Sequence, residues 1–143
     1  MVSGRFGSAL RFPAKSSMVN AGNQPLLQPA NLTLLAWIRA GSPPSQVQAI
    51  AAQGASGGCS HASYALYTGG SLDTVGLRFY IWNGSQTVVS PAAGNAIWDG
   101  AWHLAVGTYD GSRVRLYVDG NEVGAGTAGS GPIGYGLANN NFA

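Results

Sequence analysis

The sequence predicts an all-β fold, an antiparallel β-sandwich built from short strands. Apolar and polar residues alternate along many short runs, which is the pattern of half-buried strands. Asn-Gly or Asp-Gly pairs separate several of these runs, and such pairs favour tight hairpin turns. The 143 residues also include 22 glycines and 7 prolines, which indicates many turns.

The composition indicates one folded domain over residues 1–143. Apolar residues make up 45% of the chain and charged residues only 8%, against a share of about 25% charged residues in typical domains. Disordered chains show the opposite balance, and this length suits a single domain. A surface with so few charges is often covered by a neighbour, so association with another subunit is one expectation.

The strands are predicted from the alternating runs and from the turn residues between them. The clearest run, 76–82, ends at Asn83-Gly84, and its hairpin partner is 86–90. Asp110-Gly111 and Asp119-Gly120 predict two further hairpins, which makes the second half of the chain an antiparallel meander. The predicted strands are 9–12, 32–39, 46–53, 63–68, 76–82, 86–90, 102–109, 113–118 and 122–125, with one more at 133–137.

Alternation also assigns two faces to the later strands. One face is predicted to be core, and its residues are Leu77, Phe79, Ile81, Trp102, Leu104, Val106, Val114, Leu116 and Val118. The opposite face would gather aromatic, arginine and histidine side chains, which can stack on sugar rings and bond their hydroxyls. These predicted ligand-binding residues are Arg78, Tyr80, Trp82, His103, Arg115 and Tyr117. Packing of this face under loops or against another subunit is the favoured alternative, since the same residue types are enriched at interfaces. A slip of one residue in register would exchange the two faces.

The four tryptophans are predicted to differ in exposure. Trp37, Trp98 and Trp102 are expected in the core or at its edge, where large aromatic residues usually lie. Trp82 directly precedes the Asn83-Gly84 turn, so we expect it to be the most exposed tryptophan.

The acidic residues argue against catalysis. A glycoside hydrolase needs two carboxylates flanking the bond, and the whole chain has five acids. Asp99, Asp110 and Asp119 each precede a glycine in a predicted turn, where the side chain stabilises the turn. Asp119 and Glu122 straddle one tight turn, and a turn tip is a poor place to exclude water. The sequence therefore predicts that the protein is not an enzyme.

The single cysteine and the two histidines do not predict a reactive or metal site. Cys59 excludes an intramolecular disulfide. We interpret Cys59 as an inert loop residue, with a thiol activated by His61 as the alternative. His103 is interpreted as a sheet residue that packs or hydrogen-bonds. A zinc site would need more ligands at set spacing, so neither a metal nor a cofactor is expected.

Charge and hydropathy exclude two kinds of partner. The net charge is +2, and the only lysine, Lys15, is separated from the six arginines. Without a basic run, binding to nucleic acid is not expected. No stretch approaches the roughly 20 apolar residues of a membrane span, so membrane insertion is not expected either. Residues 1–12 contain no apolar segment typical of a signal peptide, and the residues alone leave the compartment open.

Residues 95–123, NAIWDGAWHLAVGTYDGSRVRLYVDGNEV, resemble the signature of the laminin-G-like and concanavalin-like jelly rolls. In that family a Gly-x-Trp-His segment opens a strand, and a Thr-Tyr-Asp-Gly turn and a Leu-Tyr-Val-Asp-Gly strand follow. Here these are 100–103, 108–111 and 116–120, while 6–12 and 32–41 resemble the family's early strands. The resemblance implies a jelly-roll domain that recognises glycans or extracellular proteins at an extracellular, cell or particle surface.

Two departures from the family pattern concern calcium and the sheet edges. The family often has an aspartate or two after the early Phe, but residues 12–15 here read Phe-Pro-Ala-Lys. The calcium that the resemblance implies therefore lacks carboxylate ligands at this place. The family's usual first and last strands are also missing, which would leave unpaired backbone groups. A trimmed fragment, a strand supplied by a neighbour, or a tail that folds differently would each account for this.

The predicted function is a non-catalytic recognition module of a surface or adhesive protein, with a glycan or an extracellular protein as ligand. The alternative is a structural subunit, in a virion decoration, a tail or a surface filament, that uses the fold for self-association. A remnant of a glycosidase sandwich is a third hypothesis, against which the missing carboxylate pair argues.

Overall fold

The computed structural model describes residues 1–14, 17–44, 46–54, 62–69, 76–136 and 141–143. Within these ranges the regular structure is β, apart from single turns of 3₁₀ helix at Pro25–Leu27 and Asn95–Trp98. The all-β prediction is therefore confirmed. The strands are β1 (Val2–Ser3), β2 (Ser8–Ala9), β3 (Leu32–Ile38), β4 (Gln48–Gln53), β5 (Tyr64–Thr68), β6 (Leu77–Trp82), β7 (Thr87–Val89), β8 (His103–Tyr109), β9 (Arg113–Val118), β10 (Asn121–Glu122) and β11 (Thr127–Ala128).

The longer strands form two antiparallel sheets. The four-stranded sheet has the order β4-β5-β6-β7. The five-stranded sheet has the order β10-β9-β8-β3, and β11 also pairs with β9. After β3 the chain passes to the four-stranded sheet and returns at β8, while β1 and β2 form a separate hairpin. This arrangement confirms the predicted antiparallel sandwich.

The predicted hairpin turns join neighbouring strands as expected. Asn83 lies between β6 and β7, and its side-chain oxygen accepts N–H bonds from Ser85 and Gln86 at 3.1 and 2.9 Å. Asp119 and Gly120 lie between β9 and β10 with φ of 51° and 85°. Two positive φ angles are the mark of the hairpin turn that Asn-Gly and Asp-Gly pairs favour.

The two sheets face each other across an apolar core. The completely buried ring of Phe79 in β6 lies against Gly107 in β8. A Cβ added to Gly107 would overlap this ring, so the close approach of the sheets requires glycine here. The most deeply buried core residues are Leu66, Leu77, Phe79, Ile81, Ala105, Tyr109, Val114 and Leu116.

The face of β8 that points into the core is the opposite of the predicted face, a difference of one residue in the alternation. Ala105, Gly107 and Tyr109 are buried, whereas Leu104 and Val106 on the other face are only partly buried. The expectation that Leu104 and Val106 belong to the core is therefore wrong. The physical reason is the Phe79 ring, which fills the space above the middle of β8 and leaves room for small residues only.

The predicted inward residues of β6 and β9 are confirmed. Leu77, Phe79 and Ile81 are fully buried, and so are Val114 and Leu116. Of the remaining two predicted core residues, Val118 is half-buried and packs against the core. Trp102 is half-buried but is not part of that cluster, and the guanidinium carbon of Arg39 lies 5.5 Å from its ring.

The last residues of the chain cover the edge of β4. Ala52 N–H donates to Ala143 O at 2.6 Å, and Ala143 N–H donates to Ala52 O at 2.9 Å. Phe142 forms bridges with Gln53 on one side and with Gly22 on the other. Three alternatives were given above for the missing family strands. At the edge of β4 the structure agrees with the third, a tail that folds differently, because residues 142–143 pair along this edge.

Some short elements differ from the prediction. The predicted 9–12 strand is reduced to β2, and the predicted 122–125 strand ends at Glu122. Residues 133–136 do not form a strand, and β11 pairs with β9 instead. Lys15, Cys59, His61 and Asp73 lie outside the described residues, and so does the interpretation of Cys59 as an inert loop residue.

Candidate recognition surface

The six residues predicted to bind a ligand do not share one face. Arg78, Tyr80 and Trp82 lie on the outer face of the four-stranded sheet, in β6. Arg115 and Tyr117 lie on the outer face of the five-stranded sheet, in β9. Because the sheets pack with their inner faces together, these two groups point to opposite sides of the sandwich. The prediction of a shared face is wrong, since alternation assigns a side chain to one side of its strand and says nothing of the sheet.

Tyr80 lies in a small cluster of its own on the outer side of the four-stranded sheet. It is 4% exposed, and its buried neighbours are Ala52, Ala62 and Ala65. Tyr67 packs edge-on against the Tyr80 ring, with ring centroids 5.2 Å apart. This arrangement agrees with the alternative that the aromatic residues of this face pack inside the protein, and it leaves little of Tyr80 for a ligand.

Trp82 and Arg78 are half-buried. Gly134 N–H donates to Trp82 O at 2.7 Å, and a Cβ added to Gly134 would lie 2.8 Å from Trp82 Cδ1. The segment around Gly134 therefore covers part of the indole. Arg78 is the register partner of Tyr67 between β6 and β5. The prediction that Trp82 is the most exposed tryptophan is wrong, because Trp37 at 36% exposure exceeds it.

His103 begins β8 and is bonded through both ring nitrogens. Nδ1 lies 2.7 Å from Asp119 Oδ2, and Nε2 lies 3.0 Å from Asp99 Oδ1. The two carboxylates accept backbone N–H bonds as well, Asp119 from Leu104 at 2.8 Å and Asp99 from Ala101 at 2.7 Å. His103 is thus a hydrogen-bonded residue at the end of a strand, as predicted, and it connects two turns.

The geometry around His103 favours the imidazolium form. A neutral imidazole donates from one nitrogen only, whereas the imidazolium donates from both. The bond to Asp119 and then the bond to Asp99 raise the pKa of His103 above its ordinary value. The Ala101 N–H and then His103 lower the pKa of Asp99, and His103 and then the Leu104 N–H lower the pKa of Asp119.

Arg115 is paired with carboxylates on the outer face of the five-stranded sheet. Its Nη1 donates to Asp110 Oδ2 at 2.7 Å, and its Nε lies 3.4 Å from Glu122 Oε1. The bonds from Ser112 and Arg115 hold the pKa of the Asp110 carboxyl well below its usual range. The guanidinium charge is therefore balanced by acids of the same molecule.

An apolar stripe lies on this outer face beside Arg115. Leu35 of β3 pairs with Val106 of β8, and Trp37 pairs with Leu104. Leu35 is 60% exposed and Trp37 is 36% exposed. Tyr117 continues the row as the partner of Val106 in β9. We call this set the outer stripe, and its residues are Phe6, Leu35, Trp37, Leu104, Val106 and Tyr117.

The β1–β2 hairpin places Phe6 at the end of the outer stripe. The Phe6 and Trp37 rings meet edge to face, with centroids 5.8 Å apart and an interplanar angle of 80°. The guanidinium carbon of Arg5 lies 5.1 Å from the Phe6 centroid and 5.5 Å from that of Trp37. This is a cation–π arrangement. Phe6 is still 72% exposed, so the stripe ends in an aromatic pair that is open to solvent.

Sequence reasoning missed the outer stripe because it assigned Trp37, Leu104 and Val106 to the core. Their bulk favoured that choice over the small residues of the opposite face. The signal that pointed the other way was Gly107, because a glycine inside a strand often marks the close approach of another group. Here that group is the Phe79 ring, and Gly107 therefore marks the inward face of β8.

The titratable residues do not form a metal centre in the part of the chain that the structure describes. Within those ranges, no three His, Cys, Asp or Glu side chains are grouped as a metal ion requires. Asp119 bonds His103, and Glu122 faces Arg115, so the two acids of this turn have separate basic partners. None of the helices in the described ranges combines the length and the apolar character needed to cross a membrane.

The fold and the outer stripe together define a small antiparallel sandwich domain with an apolar surface suited to recognition. The chain belongs to the concanavalin A-like lectin/glucanases superfamily, because its residues 13–142 match the laminin-G-type model of that superfamily. The resemblance drawn from residues 95–123 is therefore confirmed. Domains of this type are generally non-catalytic, commonly extracellular and suited to carbohydrate or protein binding, while glucanases also occur in the superfamily. No curated protein gives a significant sequence match.

Proposed function

We propose that this chain is a non-catalytic recognition module that binds a protein ligand through the outer stripe. The observation that carries the proposal is the exposure of Leu35, of Trp37 and of the Phe6 ring that contacts Trp37. Contiguous apolar patches on a soluble protein mark interaction sites. Aromatic residues at the centre of such patches supply much of the binding energy at interfaces.

The polar groups beside the stripe favour a protein over a sugar. A sugar site places hydrogen-bonding side chains next to an aromatic ring so that the hydroxyls are bonded. Arg115 already bonds Asp110 and faces Glu122, and Arg5 lies over the aromatic pair. A broad apolar surface on a sheet is better matched by the apolar centre of another protein's interface.

A glycan is the second candidate ligand. Membership of a lectin superfamily supports it, and the exposed ring of Trp37 and the half-buried ring of Tyr117 have faces on which a pyranose can stack. In both cases the module would act at an extracellular, cell or particle surface, as part of a surface or adhesive protein.

The acidic residues support the non-catalytic part of the proposal. The side chains of Asp99, Asp110 and Asp119 are 54%, 48% and 44% exposed, at turns of the chain. Each accepts backbone N–H bonds and faces a basic side chain. Carboxylates in such positions stabilise turns, whereas hydrolysis of a glycoside needs two carboxylates on either side of a bound sugar.

A structural subunit is the alternative function. The low content of charged residues, 8%, supports it, and so does the long uncharged edge strand β3. Self-association and recognition of another molecule are separable by experiment, since the first needs no added ligand.

The proposal is tested by binding of the labelled chain to arrays of purified extracellular proteins and of glycans, with and without calcium. Trp37→Ala should weaken binding to the protein spots at least tenfold, because truncating an aromatic anchor costs roughly 2 kcal/mol of binding free energy. Val47→Ala is the matched control, since Val47 is an exposed apolar residue beside Gly69, away from the stripe. Binding to glycans alone would move the second candidate ahead, and binding that both Trp37→Ala and Phe6→Ala leave intact would refute the site.

A further inference from the structure

Two arginines beside the outer stripe have guanidinium groups that lie over aromatic rings. Arg5 is at the exposed tip of the β1–β2 hairpin, where the Gly4 N–H donates to Gly7 O at 2.8 Å. Its guanidinium carbon is 5.5 Å from the centroid of the Trp37 ring. Stacking occupies the face of a guanidinium and leaves the N–H groups at its edge available for hydrogen bonds.

Arg39 supplies the second guanidinium, two residues after Trp37. Residues 31–40 alternate between exposed and half-buried, so exposed Arg39 lies on the same face as Trp37. The register of β3 with β8, continued by one pair, sets Arg39 opposite Trp102. The guanidinium carbon is 5.5 Å from the centroid of that ring. Successive residues on one face of a strand are about 7 Å apart, so Arg5 and Arg39 both lie close to Trp37.

Neither arginine has an acidic partner in the part of the chain that the structure describes. The four acidic side chains in those ranges face His103 or Arg115 instead. They belong to Asp99, Asp110, Asp119 and Glu122. The charges of Arg5 and Arg39 therefore face solvent. A second copy of this chain would bring no unengaged acidic side chain from the described ranges to pair with them.

A partner that covers Trp37 changes the surroundings of both guanidinium groups. Contact with a purely apolar surface would remove water from two unpaired charges, and burial of an unpaired charge strongly disfavours binding. Carboxylates of the partner would offset this loss, because a guanidinium donates two parallel N–H bonds to one carboxylate. Leu35 and Val106 continue the same surface and are matched by apolar groups. The surface therefore fits a partner that is both acidic and apolar.

We infer that the ligand of the outer stripe is an acidic protein segment, whose carboxylates pair with Arg5 and Arg39 beside an apolar centre that packs on Trp37. The inference rests on the proposed function and adds the chemistry of the partner to it. A sulfated glycan also carries anions for the two guanidinium groups, but it offers little apolar surface to Leu35. Opposite charges across the interface also make binding sensitive to salt.

The first test selects ligands without knowledge of the natural partner. A phage library of short random peptides is panned on the native chain and on the double variant Arg5→Gln, Arg39→Gln. We expect the native chain to enrich peptides that combine aspartate or glutamate with leucine or aromatic residues, and the double variant to lose the acidic enrichment. Circular dichroism checks that each variant is folded. A native chain that enriches no acidic peptides, or a double variant that enriches them equally, overturns the inference.

The second test measures each arginine with the tightest acidic peptide from this selection, by fluorescence anisotropy. Arg5→Gln and Arg39→Gln should each weaken binding about fivefold, as expected for the loss of one charge-assisted hydrogen bond at a partly exposed site. Arg11→Gln is the matched control, because Arg11 is exposed and the described cation–π contacts do not include it. An equal loss with Arg11→Gln would assign the effect to net charge and overturn the inference.

Amide versions of the same peptide isolate the charge pairs. Replacing its acidic residues by their amides should weaken binding to the native chain but hardly change binding to the double variant, in which the paired charges are already absent. Equal losses for both chains would contradict the pairing.

The outcomes also separate this inference from the proposed function. Selected peptides that lose affinity with Trp37→Ala but not with the arginine variants overturn the acidic partner and leave the recognition site in place. Selected peptides that Trp37→Ala does not weaken contradict both. Heparin oligosaccharides that bind the native chain more tightly than any selected peptide would assign the arginines to a sulfated glycan and overturn the inference.

Discussion

His103 Nδ1 lies 2.7 Å from Asp119 Oδ2, and this contact ties the start of β8 to the β9–β10 turn. The other ring nitrogen lies 3.0 Å from Asp99, directly after the 3₁₀ turn Asn95–Trp98. The His103 ring therefore links three segments of the chain at one end of the sandwich. The residue that the sequence marked as a candidate ligand contact has its hydrogen-bonding capacity used within the protein.

Stability should depend on pH through His103. The folded pKa of His103 is raised above its ordinary 6.5, so its contribution is complete below pH 6.5 and is lost as pH rises through the folded pKa. The folded pKa values of Asp99 and Asp119 are lowered from 3.8, so their contribution is present above that pH and is lost as pH falls through the folded values. The Tm of the native chain, measured by calorimetry, should therefore decrease as the pH is raised above 6.5.

The control for this pH dependence is His103→Gln. The variant should have a lower Tm at pH 6 and a flatter profile above it, because glutamine carries no proton to lose. The same slope in the native chain and in the variant would show that another group is responsible.

Substitution of Gly107 tests the close approach of the two sheets. Gly107→Ala should destabilise the protein by about 1–3 kcal/mol, because the added methyl group overlaps the Phe79 ring in a packed core. Gly94→Ala is the control, since a Cβ at Gly94 has no neighbour within 4 Å and its φ is −71°. The free energies of unfolding are measured with urea, and equal effects of the two substitutions would contradict the described packing.

A matched pair of valines tests which face of β8 points into the core. Val114→Ala should cost about 2 kcal/mol, because this side chain is fully buried. Val106→Ala should cost less than about 1 kcal/mol, because Val106 lies on the outer face. Urea unfolding of the two variants gives both values. The reverse order would support the core assignment that the sequence suggested for Val106.

The C-terminal tail should contribute to stability. Phe142 packs against the core and lies 6.4 Å from the Tyr64 ring, centroid to centroid. Phe142→Ala is expected to cost about 2 kcal/mol, below the value for a fully buried Phe because Phe142 is half-buried. Hydrogen exchange at Ala52 and Gly54, which donate to Ala143 O and Asn141 O, should speed up at the same time. Unchanged protection of these two amides would mean that the tail is not bound to β4 in solution.

The strands and turns were largely predictable from local patterns. Asn83 and Asp110 precede glycines between alternating runs, and both accept the backbone N–H bonds of the turns that they start. Such bonds form between residues close in sequence, so the sequence carries them directly. The long strands β3, β6, β8 and β9 were predicted to within a residue or two of their bounds for the same reason.

The candidate surface was not predictable by the same reasoning. Tyr80 and Tyr117 each alternate with the core residues of their own strands, so both are predicted to point outward. They lie in different sheets, however, because the chain crosses the sandwich between β7 and β8. The prediction that Val106 points into the core was wrong, because the inward face of β8 is set by Phe79, a residue of the opposite sheet. Sheet membership and cross-sheet packing are long-range properties that alternation alone does not contain.

The central claim is that the outer stripe contacts the ligand, and amide chemical-shift mapping tests it most directly. The labelled chain is titrated with the tightest binder from the protein and glycan arrays. We predict that the shifts cluster on β3, β8 and β9, around Leu35, Trp37 and Tyr117. Shifts that cluster instead on β6, around Arg78 and Trp82, would contradict the account and place recognition on the opposite side of the sandwich.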